Sequence, residues 1–199
     1  TFAVGAEVVT TGTGSRILVK TEDWIDFLNG SSTTARAKLQ TNNGDIILWS
    51  DSDGNGSGSI YLGAYTELNS ANGSTSKTGS GGGRITLAGS LGNAGADAAG
   101  HPLGSLSDTG NNSGGSAAYA LVMQSDSKIF SSGGDVTIRA VSDGAQEAAH
   151  FNTGSLIYAG TGRISATVTK ATNWHVVKML GTWVSAASAS PAIGLSASV

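Results

Sequence analysis

One phrase recurs along this 199-residue chain: glycine, a polar residue, then apolar residues spaced at every second position. It stands as Gly44-Asp45-Ile46-Ile47-Leu48, as Gly83-Arg84-Ile85-Thr86-Leu87, as Gly134-Asp135-Val136-Thr137-Ile138 and, more loosely, as Gly162-Arg163-Ile164-Ser165-Ala166. Alternation with β-branched residues marks a strand. The same opening at the same phase is what a solenoid strand shows when each repeat enters the same corner of the fold. The intervals between the phrases are unequal, so coils of roughly 20 residues would have to carry insertions.

The rest of the chain fits that pattern. Further short β-like runs lie at 7–10, 16–20, 35–40, 65–68, 119–123, 128–130, 155–158, 174–180 and 182–184, separated by Gly, Ser and Asn. Thirty glycines against two prolines with only 13% charged residues departs from an ordinary enzyme, while 39% apolar content is too high for simple disorder. The expected fold is all-β: a parallel β-helix, a solenoid with Gly/Ser/Asn-rich turns. It forms a single elongated unit over 1–199, with N-terminal coils or a cap at 1–42 and a C-terminal coil or tail at 170–199.

By phase, Ile46, Leu48, Ile85, Leu87, Val136, Ile138 and Ile164 face inward and Thr86, Thr137 and Ser165 outward. Residues 89–116, rich in Gly, Ala, Asn and Ser, read as an irregular insertion, a flexible protrusion rather than further coils. The segment Thr21 to Gly30 breaks the rhythm. It fits one or two helical turns capped by Thr21, or an aromatic loop over one end of the core. Trp24 with Phe27, and Trp174 with Trp183, are candidate end caps.

Four stretches carry a family resemblance: Gly44-Asp45-Ile46-Ile47-Leu48-Trp49-Ser50-Asp51-Ser52-Asp53-Gly54, Leu68-Asn69-Ser70-Ala71-Asn72-Gly73, Ser80-Gly81-Gly82-Gly83-Arg84-Ile85-Thr86-Leu87 and Gly133-Gly134-Asp135-Val136-Thr137-Ile138-Arg139. In type and order, over residues 40–170, these resemble the repeat segments of large filamentous-haemagglutinin-like bacterial surface adhesins. The resemblance implies a right-handed parallel β-helix in an exported, extracellular or cell-surface protein that serves as a stalk or adhesive fibre. Its implied partners are a host or surface glycan or protein receptor and other parts of a fibre. It brings no catalytic residues, so the expectation is a non-enzymatic protein.

The sharpest chemical pattern is Asp51-Ser52-Asp53-Gly54-Asn55-Gly56. Oxygen donors at alternate positions followed by glycine resemble the opening of a Ca²⁺ loop, which gathers carboxylate and amide oxygens around a hard cation. The glutamate that would close such a loop is absent, since Leu62 holds its place. Asp51, Asp53 and Asn55 are therefore either calcium ligands or a solvated turn bonding its own backbone.

His101, His150 and His175 are too far apart in sequence for a metal-ligand motif, and no cysteine exists to join them. No nucleophile elbow supports a Ser-His-Asp triad. A polysaccharide-degrading β-helix would need carboxylates facing a cleft, for which Asp45, Asp51, Asp53 and Asp135 are the candidates. Trp24, Tyr61, Tyr65, Trp174 and Trp183 offer stacking surfaces for a carbohydrate-binding module. A net charge of −3 without charge runs argues against nucleic acid, and the longest apolar run is too short for a membrane-spanning helix. Unpaired strand edges at the two ends of a solenoid suggest end-to-end self-association.

Overall fold

In the computed structural model the glycine phrases open strands that stack in register. Residues 1–107, 119–142, 147–170, 176–187 and 192–198 are described. Among them there are strands and no helix, arranged in three sheets whose neighbouring strands all run parallel. Sheet I has five strands, sheet II six and sheet III seven.

The chain visits the sheets in the fixed order I, II, III, and one such passage is a tier. In the first tier Phe2 bridges in parallel to sheet I, followed by β1 (Glu7–Thr13) and β2 (Ile17–Lys20). The second holds β3 (Ile25–Phe27), β4 (Lys38–Asn42) and β5 (Ile46–Trp49), and the third β6 (Ile60–Leu62), β7 (Glu67–Asn69), β8 (Ile85–Ala88) and a continuation, β9 (Leu106–Ser107). The fourth holds β10 (Leu121–Met123), β11 (Lys128–Phe130) and β12 (Val136–Ser142), and the fifth β13 (Ala149–Phe151), β14 (Leu156–Gly160) and β15 (Ile164–Lys170). The sixth comprises β16 (Val177–Met179), β17 (Thr182–Ser185) and β18 (Ile193–Ser198).

Register places like on like. Ile17, Ile46, Ile85, Val136, Ile164 and Ile193 form one column, and Val19, Leu48, Leu87, Ile138, Ala166 and Leu195 the next. Sheet II contributes Val8, Leu39, Leu68, Ile129, Ile157 and Trp183, and sheet I the column Phe27, Leu62, Met123, Phe151 and Met179. The buried members of these columns share one hydrophobic core. At about 1.5–3 kcal/mol for each large side chain fully buried, this stacking outweighs any local strand preference in segments three residues long. All seven residues expected inside are buried there, and Ser165 is exposed as expected.

The recurring glycine has a steric cause. A Cβ on Gly83 would overlap the Gly44 carbonyl, one on Gly134 the Gly83 carbonyl, and one on Gly162 the Gly134 carbonyl. The backbones of successive tiers pass too close at this corner for any side chain. A hydroxyl braces the corner at all four glycines: Thr41 Oγ1 donates to the Gly44 carbonyl, Ser70 Oγ to that of Gly83 at 2.6 Å, Ser131 Oγ to that of Gly134 at 2.5 Å and, from the next tier, Ser185 Oγ to that of Gly162 at 2.6 Å. Asn43 and Asn72 adopt positive φ of 61° and 53° nearby, a conformation asparagine tolerates better than most residues.

The polar residue of the phrase alternates in charge: Arg16, Asp45, Arg84, Asp135, Arg163, one per tier, each immediately before a strand of sheet III. A second alternating column, Glu7, Lys38, Glu67, Lys128, opens the strands of sheet II. Lys38 Nζ lies 3.3 Å from Glu7, and Glu67 is paired with Arg36 at 2.9 Å. A slip of one tier would set like charges side by side, so the columns favour one register.

Several expectations are corrected. The segment around Trp24 is strand β3 rather than helical turns, because Ile25 and Phe27 fall on interior columns and tertiary stacking overrides the cap signal at Thr21. Phe27 is fully buried under Phe2, whose ring stacks on it at 4.5 Å, so Phe2 and not Trp24 covers it. The strand expected at 35–40 forms at β4, shifted toward the C-terminus, and the tail contributes β18.

Residues 89–105 do not protrude. They leave sheet III between β8 and β9, both of which pair with the single long strand β12, and fold back through antiparallel bridges Gly89–Gly104, Leu91–Ser105 and Ala96–Pro102. This strap lies on the outer face of sheet III and buries Thr86 there to 2% exposure, although the phase of Thr86 is outward as expected. The remainder of the expected insertion, 108–116, lies outside the described residues.

Candidate functional site

Polar chemistry concentrates at the strap. His101 is buried, with Nε2 2.8 Å from Asp45 Oδ2 and Nδ1 2.6 Å from Thr86 Oγ1. An ionised carboxylate only accepts, so Nε2 donates to Asp45, and the other ring nitrogen, Nδ1, shares a hydrogen bond with the Thr86 hydroxyl. Asp45 Oδ1 accepts the Arg84 N–H at 2.7 Å. Arg84 Nη1 reaches Asp97 at 3.2 Å, and Asp97 Oδ1 accepts the backbone N–H of Ala99 and of His101, each at 2.9 Å.

The hydrogen bond from His101, aided by the Arg84 N–H and the charges nearby, holds the Asp45 carboxyl below the usual range against its partial burial. The backbone N–H of His101, with Arg84 and Ala99, does the same for Asp97.

Hydroxyl, imidazole and carboxylate in line resemble a hydrolytic triad. A nucleophile has to be reached by its substrate, however, and Thr86 is covered by the strap. The line serves as a clasp. Other strap contacts spread over neighbouring tiers: Arg16 Nη1 donates to the Ala99 carbonyl at 3.0 Å, Trp49 Nε1 to Ser90 Oγ at 2.8 Å, and Arg139 Nη1 to the Pro102 carbonyl at 3.1 Å. The strap thus binds the first four tiers together. Sequence reasoning missed this cluster because Asp45 and His101 are 56 residues apart and no local motif joins them.

The Asp51 turn is a separate place, between β5 and β6. Asp51 is buried at a positive φ of 51°, and its Oδ1 accepts the N–H of Gly56 at 2.9 Å and of Ser57 at 3.3 Å. Its Oδ2 is buried without a hydrogen-bond partner. Burial pushes the Asp51 carboxyl up, more than the turn N–H groups pull it down.

Asp53 and Asn55 are exposed. Asn55 Nδ2 donates to Asp53 Oδ2 at 2.7 Å, and Asn55 Oδ1 accepts the Ser57 N–H at 2.8 Å. The oxygens of the turn are thus largely engaged within it. Among the described residues no group of three or more His, Cys, Asp or Glu is arranged to hold a metal ion.

The other candidates do not converge. Asp45 and Asp135 occupy equivalent corners, but Arg84 stands between them in the stack. Tyr61 is buried with its hydroxyl 3.2 Å from Asn29 Oδ1, and Trp183 packs edge-on against Phe151 at 5.1 Å. These aromatics do not share a platform, and Trp174 and His175 lie outside the described residues. An open depression is lined by Thr1, Lys20, Thr21, Glu22, Asp23, Trp24 and Ser52. Compared with protein families, curated proteins and solved structures, the chain matches none.

Proposed function

We propose that this chain is a non-enzymatic structural and adhesive segment of a secreted or cell-surface filamentous bacterial protein, wound as a right-handed parallel β-helix. The observation that carries the reading is the continuity of its wall: core columns, a glycine corner and alternating charges repeat from tier to tier. The most reactive-looking group, Thr86–His101–Asp45, is spent on holding the strap. A fibre segment needs stiffness and a long surface, and tiers of this kind supply both. An antibody against the folded chain is expected to label intact, unpermeabilised source cells; label seen only after lysis overturns the reading.

A second reading, a carbohydrate-binding module, is favoured by the depression that Trp24 lines together with Glu22, Asp23 and Lys20. Glycan-array binding lost in Trp24→Ala with an unchanged melting temperature would support it, and an array without signal would remove it. The polysaccharide-degrading alternative requires turnover of an acidic polysaccharide that Asp51→Ala and Asp53→Ala abolish.

A further inference from the structure

The chain holds four Asn-Gly steps, at 29–30, 43–44, 55–56 and 72–73, and each falls in a turn between strands. Asparagine before glycine is the pair most open to deamidation, because no Cβ on the following residue shields its backbone nitrogen. The four turns hold their asparagines very differently.

We propose that Asn72 is a deamidation site of the folded chain, and that the fold protects the other three asparagines from the same reaction. Asn29 is pinned: its Oδ1 accepts the Ala64 N–H at 2.7 Å and the Tyr61 hydroxyl at 3.2 Å, while the Gly30 N–H donates to the Ala64 carbonyl at 2.8 Å. Asn55 is bonded at both ends of its amide, to Asp53 and to the Ser57 N–H, and the Gly56 N–H is held by Asp51 at 2.9 Å. Asn43 is exposed, but Gly44 is buried, and a Cβ there would overlap the Ser15 carbonyl, so the corner leaves no room for the backbone to close into a ring.

Asn72 has none of these restraints. It and Gly73 are both exposed, and its side chain bonds to no described residue. A Cβ on Gly73 would meet only the Gln40 side chain, at 3.5 Å or more. The Gly73 N–H makes one bond, at 3.1 Å, to an Asn69 Oδ1 that it shares with the Ala71 N–H.

In the reaction the Gly73 nitrogen gives its proton to solvent base and attacks Asn72 Cγ. A C–N bond forms there, the bond from Cγ to Nδ2 breaks, and Nδ2 leaves as ammonia. Water then opens the cyclic imide at either carbonyl, giving aspartate or isoaspartate, so that one water enters for each ammonia released. Isoaspartate lengthens the main chain by one methylene and adds a negative charge. The change falls where the Asn72 N–H ties the turn to the Thr41 carbonyl of the tier before, at 2.9 Å. The inference goes beyond the functional reading above and does not rest on it.

The test is peptide mapping by mass spectrometry of the 199-residue chain after incubation in mildly alkaline buffer, folded in one arm and unfolded by urea in the other. In the folded arm Asn72 is expected to gain one mass unit, split between aspartate and isoaspartate peptides, while Asn29, Asn43 and Asn55 stay intact. In urea all four are expected to convert at similar rates. An Asn72 that stays intact in the folded chain overturns the proposal, and so does another of the four converting as fast there. A preference for Asn72 that persists unchanged in urea also overturns it, since local sequence and not the fold would then be selecting the site.

Discussion

His101 Nε2 lies 2.8 Å from Asp45 Oδ2, joining the strap to the corner of another tier. Replacing His101 by alanine removes this contact and leaves the Thr86 hydroxyl buried without its imidazole partner. Such an orphaned group costs about 1–3 kcal/mol, while Asp45 remains partly open to water. His101→Ala is expected to lower stability by that amount in chemical denaturation. It should also speed amide exchange across 89–105 while leaving β12 and β15 protected. Uniformly faster exchange throughout the chain would show that the strap does not act locally.

Acid should loosen the same clasp. Asp45 and Asp97 are held below their ordinary pKa in the folded chain, so the unfolded chain binds protons more readily. Their contribution is complete above the usual carboxylate value of about 3.9 and is lost as pH falls through their lower folded values. Asp45→Asn should therefore flatten the acid limb of a stability–pH curve. An unchanged limb would remove Asp45 from the account.

Asp51 carries the opposite sign. Its folded carboxyl is raised, so burying it charged opposes folding at neutral pH. Asp51→Asn keeps an oxygen facing the Gly56 and Ser57 N–H groups and is expected to be neutral or stabilising in EGTA. If the turn holds calcium, the wild type instead melts higher with Ca²⁺ than with EGTA, because a ligand of the native state alone stabilises it. Asp51→Asn and Asp53→Asn would each abolish that difference, and equal midpoints in both buffers would sink the calcium reading.

The glycine corner makes a sharper demand. A methyl at Gly83 or Gly134 meets the backbone of the tier beside it, which cannot move without shifting that tier. Gly83→Ala and Gly134→Ala should each cost about 1–3 kcal/mol or more, the range for forcing extra carbon into a packed interior. Gly12→Ala, where the added carbon meets only the Ser15 side chain, is the control and should fall near zero.

The alternating charges can be inverted at one rung. Asp135 stands between Arg84 and Arg163 and is exposed. Asp135→Lys makes three consecutive cations, and the expected loss is about 1 kcal/mol, shrinking in 1 M salt where screening is short-ranged. Asp135→Asn, which still accepts the Arg163 N–H now bonded at 2.8 Å, should lose less. A loss indifferent to salt would assign the effect to packing.

Much of the fold was legible because one physical constraint writes itself into the sequence at each tier. The corner admits only glycine, and the following strand alternates between core and outer face, so Gly44, Gly83, Gly134 and Gly162 announced sheet III and its inward residues. Sheet I was harder to read. Strands such as β13, with Ala149 and Phe151 inward, are three residues long and are defined by the tiers above and below, not by a pattern of their own.

β9 was missed because it is two residues resuming a strand interrupted by the strap. At the Asp51 turn the residue types were visible, but not the burial of Asp51. The clasp at His101 depends on a fold-level encounter with Asp45 that no local spacing encodes.

The strap also decides where this molecule would yield under load. Pulled along its long axis, the wall carries force through the hydrogen bonds between tiers, which are similar from end to end. The first four tiers have a second load path through Arg16, Asp45, Thr86 and Arg139 to the strap, and among the described residues no such path reaches tiers five and six. Extension would begin in the tiers beyond the strap, leaving the clasped tiers as the stiffer block.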